Sequence, residues 1–282
     1  MKKTILALSL ALMLLLSQAA AESRAITFLS RGVHVPATLT LPEGTLEPCP
    51  IVLMAHGHGG SRDEHRGFIA IADALANSGI GSIRMDFAGC GESEEDFTTN
   101  CLTTMKQDML GAMDYAQSKL LATHIGLFGY SMGGRVVLEL LAEDTPADAI
   151  ALLAPANDTQ DLIETTFADF DAMDAAARQD GFYPLTEYEL LNPAWFEDLT
   201  RYGDPAKSAA AVYSGPTLVV WAEDDYVVRP HVSEHVADVL SAETFDATGK
   251  GHGYGFFLEE DPLRERIAQA IAGFFSRQLN GY

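Results

Sequence analysis

Ser131 lies in Gly129-Tyr130-Ser131-Met132-Gly133, a G-x-S-x-G pattern. A serine hydroxyl is a poor nucleophile until a base takes its proton and an acid orients that base. The chain offers both partners further on. His252, in Gly249-Lys250-Gly251-His252-Gly253, is flanked by glycines that let a loop reach towards the serine. The acid should follow a late strand, and the apolar run TLVVWA at 217–222 ends in Glu223-Asp224-Asp225. Asp225 is favoured, with Asp224 as the alternative. The implied chemistry is acyl transfer through a covalent serine intermediate.

An anionic intermediate also needs hydrogen-bond donors. His56-Gly57-His58-Gly59-Gly60 follows a buried apolar run and can place the His58 amide beside the Met132 amide, forming a two-donor oxyanion hole. A rival reading takes His56, His58, Asp63 and His65 as metal ligands. Asp63 and His65 are too far along for the tight H-x-H-x-D-H zinc spacing, so no metal and no cofactor are expected. His231 and His235 fall within a helical pattern and read as solvated. His34 and His124 sit at strand positions and read as structural.

These side chains need a scaffold. Ala25–Arg31 and Val33–Leu41 alternate in hydrophobicity and predict an antiparallel pair. Pro50–His56 is a continuous apolar run, as expected of a strand buried on both faces. Ile80–Phe87 reads as the next strand, His124–Tyr130 as another buried strand, and Ala149–Ala154 and Thr217–Ala222 as two more central strands. Glu243–Ala247 predicts a last strand. Helices are expected from Ser61, with Glu64 in a capping box, to Ser78, then over Leu102–Leu120, Met132–Ala142, Pro230–Leu240 and Pro262–Leu279. The alternation implies an α/β class, with a mainly parallel central sheet flanked by helices. In this setting Ser131 follows a strand and opens a helix, as a nucleophile elbow requires. The order Ser131, Asp225, His252 also differs from the orders of the chymotrypsin and subtilisin types.

One stretch breaks the rhythm. Asn157–Ala211 is far longer than a usual crossover and rich in aromatics and acids. It reads as an inserted cap over the C-terminal edge of the sheet. Phe182, Tyr183 and Trp195 are its candidates for contacting substrate.

Composition narrows the function classes. The 282 residues are 48% hydrophobic, enough for a large core, and the formal charge of −22 disfavours nucleic acid and anionic membranes as partners. Residues 1–21 combine Lys2 and Lys3, the apolar run Ile5–Leu16 and Ala19-Ala20-Ala21, the layout of a secretory signal cleaved after Ala21. The mature chain at 22–282 is therefore expected outside the cytoplasm, secreted or periplasmic, with no stable membrane insertion. Of the three cysteines, Cys49, Cys90 and Cys101, the second and third are close enough in sequence to bridge in an oxidising compartment, and the alternative is three free thiols.

Taken together, the residues HGHGG at 56–60, RMDFAGCGES at 84–93, GYSMGG at 129–134, the Asp225 turn and GHG at 251–253 resemble the α/β-hydrolase superfamily over nearly all of the mature length. Within it, the chain is most similar to bacterial cinnamoyl or feruloyl esterases and the related serine-hydrolase and aminopeptidase-like group. The resemblance implies an α/β-hydrolase fold and an insertion at 157–211 that covers the active site and helps bind an aromatic acyl group. His58 departs from the bulky apolar residue often found after His-Gly in that group. The expected activity is hydrolysis of small-molecule aryl or hydroxycinnamoyl esters. The rivals are an exported aminopeptidase or amidase of the same fold, and a non-catalytic binding module that a serine-directed fluorophosphonate probe would leave unlabelled.

Overall fold

The computed structural model describes residues 21–45, 48–167 and 169–281. The expected leader at 1–21 lies outside them, apart from Ala21. In chain order the elements are β1 (Glu22–Ser30), β2 (Val33–Leu41), β3 (Ile51–Ala55), α1 (Gly67–Asn77), β4 (Gly81–Met85), α2 (Leu102–Lys119), β5 (Ile125–Tyr130), α3 (Met132–Ala142) and β6 (Ala149–Leu153). Then follow α4 (Thr159–Thr166), α5 (Phe170–Asp180), β7 (Tyr183–Pro184), β8 (Leu190–Leu191), α6 (Pro193–Arg201) and α7 (Pro205–Ala210). The chain closes with β9 (Thr217–Trp221), α8 (Pro230–Leu240), β10 (Glu243–Asp246) and α9 (Pro262–Leu279).

β1 and β2 form the expected hairpin across Arg31-Gly32, where φ is 51° and 84°. Two positive φ angles match the strand twist in a two-residue turn. Arg31 tolerates this conformation while its guanidinium pairs with Glu95 (2.7 Å) and Asp108 (2.8 Å).

The main sheet runs β1-β2-β4-β3-β5-β6-β9-β10. It is antiparallel at β1/β2 and β2/β4 and parallel from β4 to β10. β3, β4, β5 and β6 are buried along their whole length, which explains the apolar sequences of β3, β5 and β6, while β4 carries the buried Ser82 and Arg84. Helices α1 and α9 pack together, and α2, α3, α7 and α8 form a second connected layer.

One expectation is corrected and one open alternative is decided. The first helix begins at Gly67, not Ser61, and Ser61–Glu64 does not form a capping box. Glu64 and His65 adopt positive φ (39° and 56°), and the Glu64 carboxylate turns inward. Cys90 and Cys101 do not bridge; both are buried, and all three cysteines are free thiols. The Cys101 backbone instead starts α2, where its N–H donates to Thr104 Oγ1 (3.1 Å).

The segment between β6 and β9 holds four helices and the β7/β8 hairpin. Trp195 and Phe196 of α6 are buried and contact Phe167 and Phe170, at ring separations of 4.9 and 5.2 Å. Arg135 on α3 fastens this segment to the core. Its guanidinium is fully buried and uses all five N–H donors: Nε to Glu139, Nη1 to the carbonyls of Ala156 and Asn157, and Nη2 to those of Leu199 and Tyr202. Such complete pairing is what offsets the cost of burying a charge.

Candidate active site

Ser131 sits where β5 turns into α3, with φ 53° and ψ −117°. The sharpness of the turn explains its glycines. A Cβ on Gly129 would lie 2.3 Å from the Gly133 carbonyl oxygen, and one on Gly133 would lie 2.1 Å from that of Ala55. The Ser131 N–H donates to Leu153 O (2.9 Å), so the turn is pinned to the neighbouring strand.

The structure brings the three distant side chains together. Ser131 Oγ lies 3.0 Å from His252 Nε2, and His252 Nδ1 lies 2.8 Å from Asp225 Oδ2. Asp225 Oδ1 accepts the N–H groups of Val227 (2.9 Å) and Val228 (3.0 Å). The adjacent aspartates divide the work. Asp224 accepts the N–H groups of Gly249 (3.0 Å) and Gly251 (3.1 Å), tethering the loop that carries His252. From the elbow, the Tyr130 hydroxyl donates to His252 O (2.6 Å) while its ring stacks on the imidazole at 5.2 Å. A serine hydroxyl directed at an imidazole that is itself held by a carboxylate can be activated for attack.

The glycine-rich loop after β3 is organised from beneath. His56 is fully buried, and burial lowers its pKa to about 4, so the ring is neutral. Its Nε2 accepts the Phe87 N–H (3.1 Å), which assigns the proton to Nδ1, and Nδ1 donates to Gly57 O (2.7 Å). Gly60 N–H donates to the same carbonyl (3.2 Å). In a planar trans peptide, fixing the Gly57 C=O also fixes the opposite direction of the His58 N–H. Gly57 N–H donates to Glu64 Oε1 (2.7 Å), and burial pushes the Glu64 carboxyl up to about 7. Among the described residues, the His58 and Met132 N–H groups donate to no protein acceptor. Met132 is the first residue of α3, where a helix leaves its N–H free.

The 84–93 motif supports the same loop. Asp86 is buried and accepts Arg62 N–H (2.7 Å), Arg62 Nη1 (2.8 Å) and Glu92 N–H (3.0 Å). A Cβ on Gly91 would lie 2.2 Å from Asp86, so the turn passes tightly over that carboxylate. The result sets Phe87 N–H against His56.

The four residues of the metal rival are dispersed. Both His56 nitrogens are engaged, Asp63 pairs with Arg84 (2.6 Å), and His65 packs on Phe257 at 4.1 Å. The His58 ring packs edge-on against Phe97 (5.8 Å) and Trp195 (5.7 Å). Both of its nitrogens are buried without a hydrogen-bond partner, and Nε2 stops 3.9 Å from Glu189. Burial lowers the pKa of this ring as well.

Of the three aromatics proposed in the inserted segment, Trp195 alone contacts the His58 ring; Tyr183 is half-buried in β7, and Phe182 is exposed. Phe97, Glu189 and Tyr254 escaped sequence reasoning, while Tyr130 was named only within the elbow motif and Glu64 only as a capping residue. His231 lies 3.5 Å from Asp161, and His235 pairs with Asp204 (2.8 Å), so the latter is an anchored residue and not a freely solvated one. A cleft of about 540 Å³ lined by α1 and α9, with His65, Asp73 and Arg264 at its walls, contains none of the Ser131 site.

Residues 52–269 match the alpha/beta hydrolase family. The chain belongs to that family, and its class is hydrolase. It is similar to an uncharacterized 31.7 kDa protein in the traX-finO intergenic region of Escherichia coli, at 23% identity over 287 residues, covering 89% of this chain and 98% of the other. It is also similar to Lipase 3 of Moraxella sp. strain TA144, at 22% identity over 231 residues and 71% of each chain. Among solved structures, Est1E from Butyrivibrio proteoclasticus with ferulic acid bound superposes with a TM-score of 0.73 at 21% identity, covering 90% of this chain and 99% of that one.

Proposed function

We propose that the protein is an exported serine carboxylesterase acting on small aryl or hydroxycinnamoyl esters. Ser131 Oγ attacks the ester carbonyl carbon as His252 Nε2 takes its proton. The carbonyl π pair moves onto oxygen, and the His58 and Met132 amides receive that charge. As the carbonyl re-forms, the bond to the leaving alcohol breaks and His252 protonates the alcohol. A water molecule, deprotonated in turn by His252, then attacks the acyl-serine and releases the acid, restoring Ser131. Asp225 keeps the imidazole oriented throughout.

The observation that carries this reading is the unbroken chain from Ser131 Oγ through His252 to Asp225, at 3.0 and 2.8 Å. The lipase among the similar proteins supports esters as the substrate class, and the ferulic acid bound to Est1E supports an aryl acyl group. The test is hydrolysis of p-nitrophenyl acetate and methyl ferulate by the wild type, with both rates abolished in Ser131→Ala. Export rests on the pattern at 1–21 and is checked by whether the mature chain begins at Glu22.

A second reading, an aminopeptidase or amidase, has one observation in its favour: the Glu189 carboxylate beside His58 can receive a substrate ammonium. Rates on aminoacyl anilides and on matched esters, measured side by side, decide between the two.

A further inference from the structure

Asp225 receives four hydrogen bonds, one more than its backbone anchors and His252 require. On Oδ2, the oxygen that meets His252, the phenol of Tyr254 donates from a second direction at 2.9 Å. Tyr254 is wholly buried, so this hydroxyl has no water to turn to. Burial beside Asp225 raises its pKa far above the ordinary phenol range, which keeps it a donor. Its backbone is held in the left-handed region at φ 49°, an uncommon state for a bulky side chain that persists only where its surroundings impose it. The ring is braced edge-on by Tyr130 at 6.1 Å.

We propose that Tyr254 is a positioning residue of the hydrolytic site, one that fixes Oδ2 and moderates the pull of Asp225 on His252. The proposal rests on the Ser131 reading above. A second donor on Oδ2 draws negative charge away from the His252 Nδ1–H and holds the carboxylate in place. Removing the hydroxyl alone leaves the imidazole with sole use of that oxygen. The relaxed carboxylate then holds the protonated ring more tightly.

The other titratable or charged groups around His252 are Ser131, Tyr130, Asp224, Tyr226, Glu64 behind Tyr130, and Lys250, which is paired with Asp261 at 3.3 Å. Tyr130 is the informative control. Its hydroxyl meets the His252 backbone carbonyl, not the carboxylate.

The experiment compares wild type, Tyr254→Phe and Tyr130→Phe in the full mature chain. In Tyr254→Phe, kcat is expected to fall about tenfold with KM within about twofold, the loss of one well-placed hydrogen bond. The acid limb of kcat/KM moves to higher pH, and the low-field proton resonance of His252 Nδ1–H shifts. In Tyr130→Phe the rate falls as the His252 backbone is freed, but the limb and the resonance move less than in Tyr254→Phe, because Asp225 Oδ2 keeps both of its donors. A Tyr254→Phe enzyme with kcat within twofold of wild type and an unmoved limb overturns the proposal. So does a loss of rate with the resonance unchanged, which would make Tyr254 a packing residue. The resonance is also recorded in Ser131→Ala with and without Tyr254→Phe. There it reports on Tyr254 even if hydrolysis survives the serine change and the esterase reading fails.

Discussion

Two histidines, His252 beside Ser131 and His58 in the loop after β3, are treated in opposite ways. His252 is paired at both ring nitrogens and its carbonyl: Nε2 by Ser131, Nδ1 by Asp225 and the carbonyl by Tyr130. His58, in the glycine-rich loop below the inserted segment, has both ring nitrogens buried and unpaired, with Glu189 just beyond reach. The first region is built to one geometry and resists alteration. The second carries an uncompensated polar group, which native structures rarely keep without a use. The difference separates a hydrogen-bonded relay from a ring that keeps two buried nitrogens unpaired.

The contrast can be broken most severely at Ser131. Ser131→Ala is expected to lower kcat by roughly 10⁴-fold or more while the fold is retained, measured by ester hydrolysis and thermal unfolding. A surviving rate would mean that the tightly satisfied region is a structural network only. Next in size is Arg135→Met, which cuts the fastening of the inserted segment, whose Trp195 packs on His58, to the elbow helix α3. It leaves four carbonyl groups and Glu139 without their buried partner, and about 3–5 kcal/mol of stability should be lost in denaturant unfolding.

Glu64→Gln sharpens the comparison from beneath the His58 loop. The folded-state carboxyl titrates at about 7 against an ordinary 4.5, so the native state holds its proton through a window where the unfolded chain has released it. Stability from this group is therefore full below pH 4.5 and lost as pH rises towards 7. The glutamine, which keeps an acceptor for Gly57 N–H, should be more stable than wild type by about 2–3 kcal/mol at pH 8, with the gain vanishing near pH 4.5. Unfolding curves at the two pH values check the sign. The smallest effect is expected at His58. His58→Leu removes two orphaned nitrogens and should raise stability by about 1 kcal/mol. It should also change the ratio of rates on hydroxylated and plain acyl esters, whereas a lower stability would show that the ring is satisfied after all.

Much of the Ser131 region was legible in the sequence because its constraints are local. The elbow demands glycines at 129 and 133, and a loop that must bend demands them around His252. The choice between Asp224 and Asp225 was not settled by spacing, because neighbouring residues face different ways. The structure gives one to the loop amides and the other to the imidazole. Ser61 and Glu64 matched a capping pattern, yet the Gly57 N–H claimed the carboxylate and the helix started later. In the inserted segment, position and aromatic content were readable, but not which ring would meet His58. Trp195 does so through α6, whose Asn192 cap is tied to the Phe97 turn by hydrogen bonds to Thr98 O (2.7 Å) and Asn100 O (3.0 Å).

The amino-acid order alone determined the alternation of strands and helices, the serine turn, and the candidates for base and acid. Each of these follows from side-chain period or backbone freedom within a few residues. Tertiary structure alone decided that Tyr254 shares an oxygen with His252, that Glu64 serves Gly57, and that His58 faces Trp195 and Glu189. Those are contacts between separate segments, and their distances exist only after the sheet has fixed where each loop emerges.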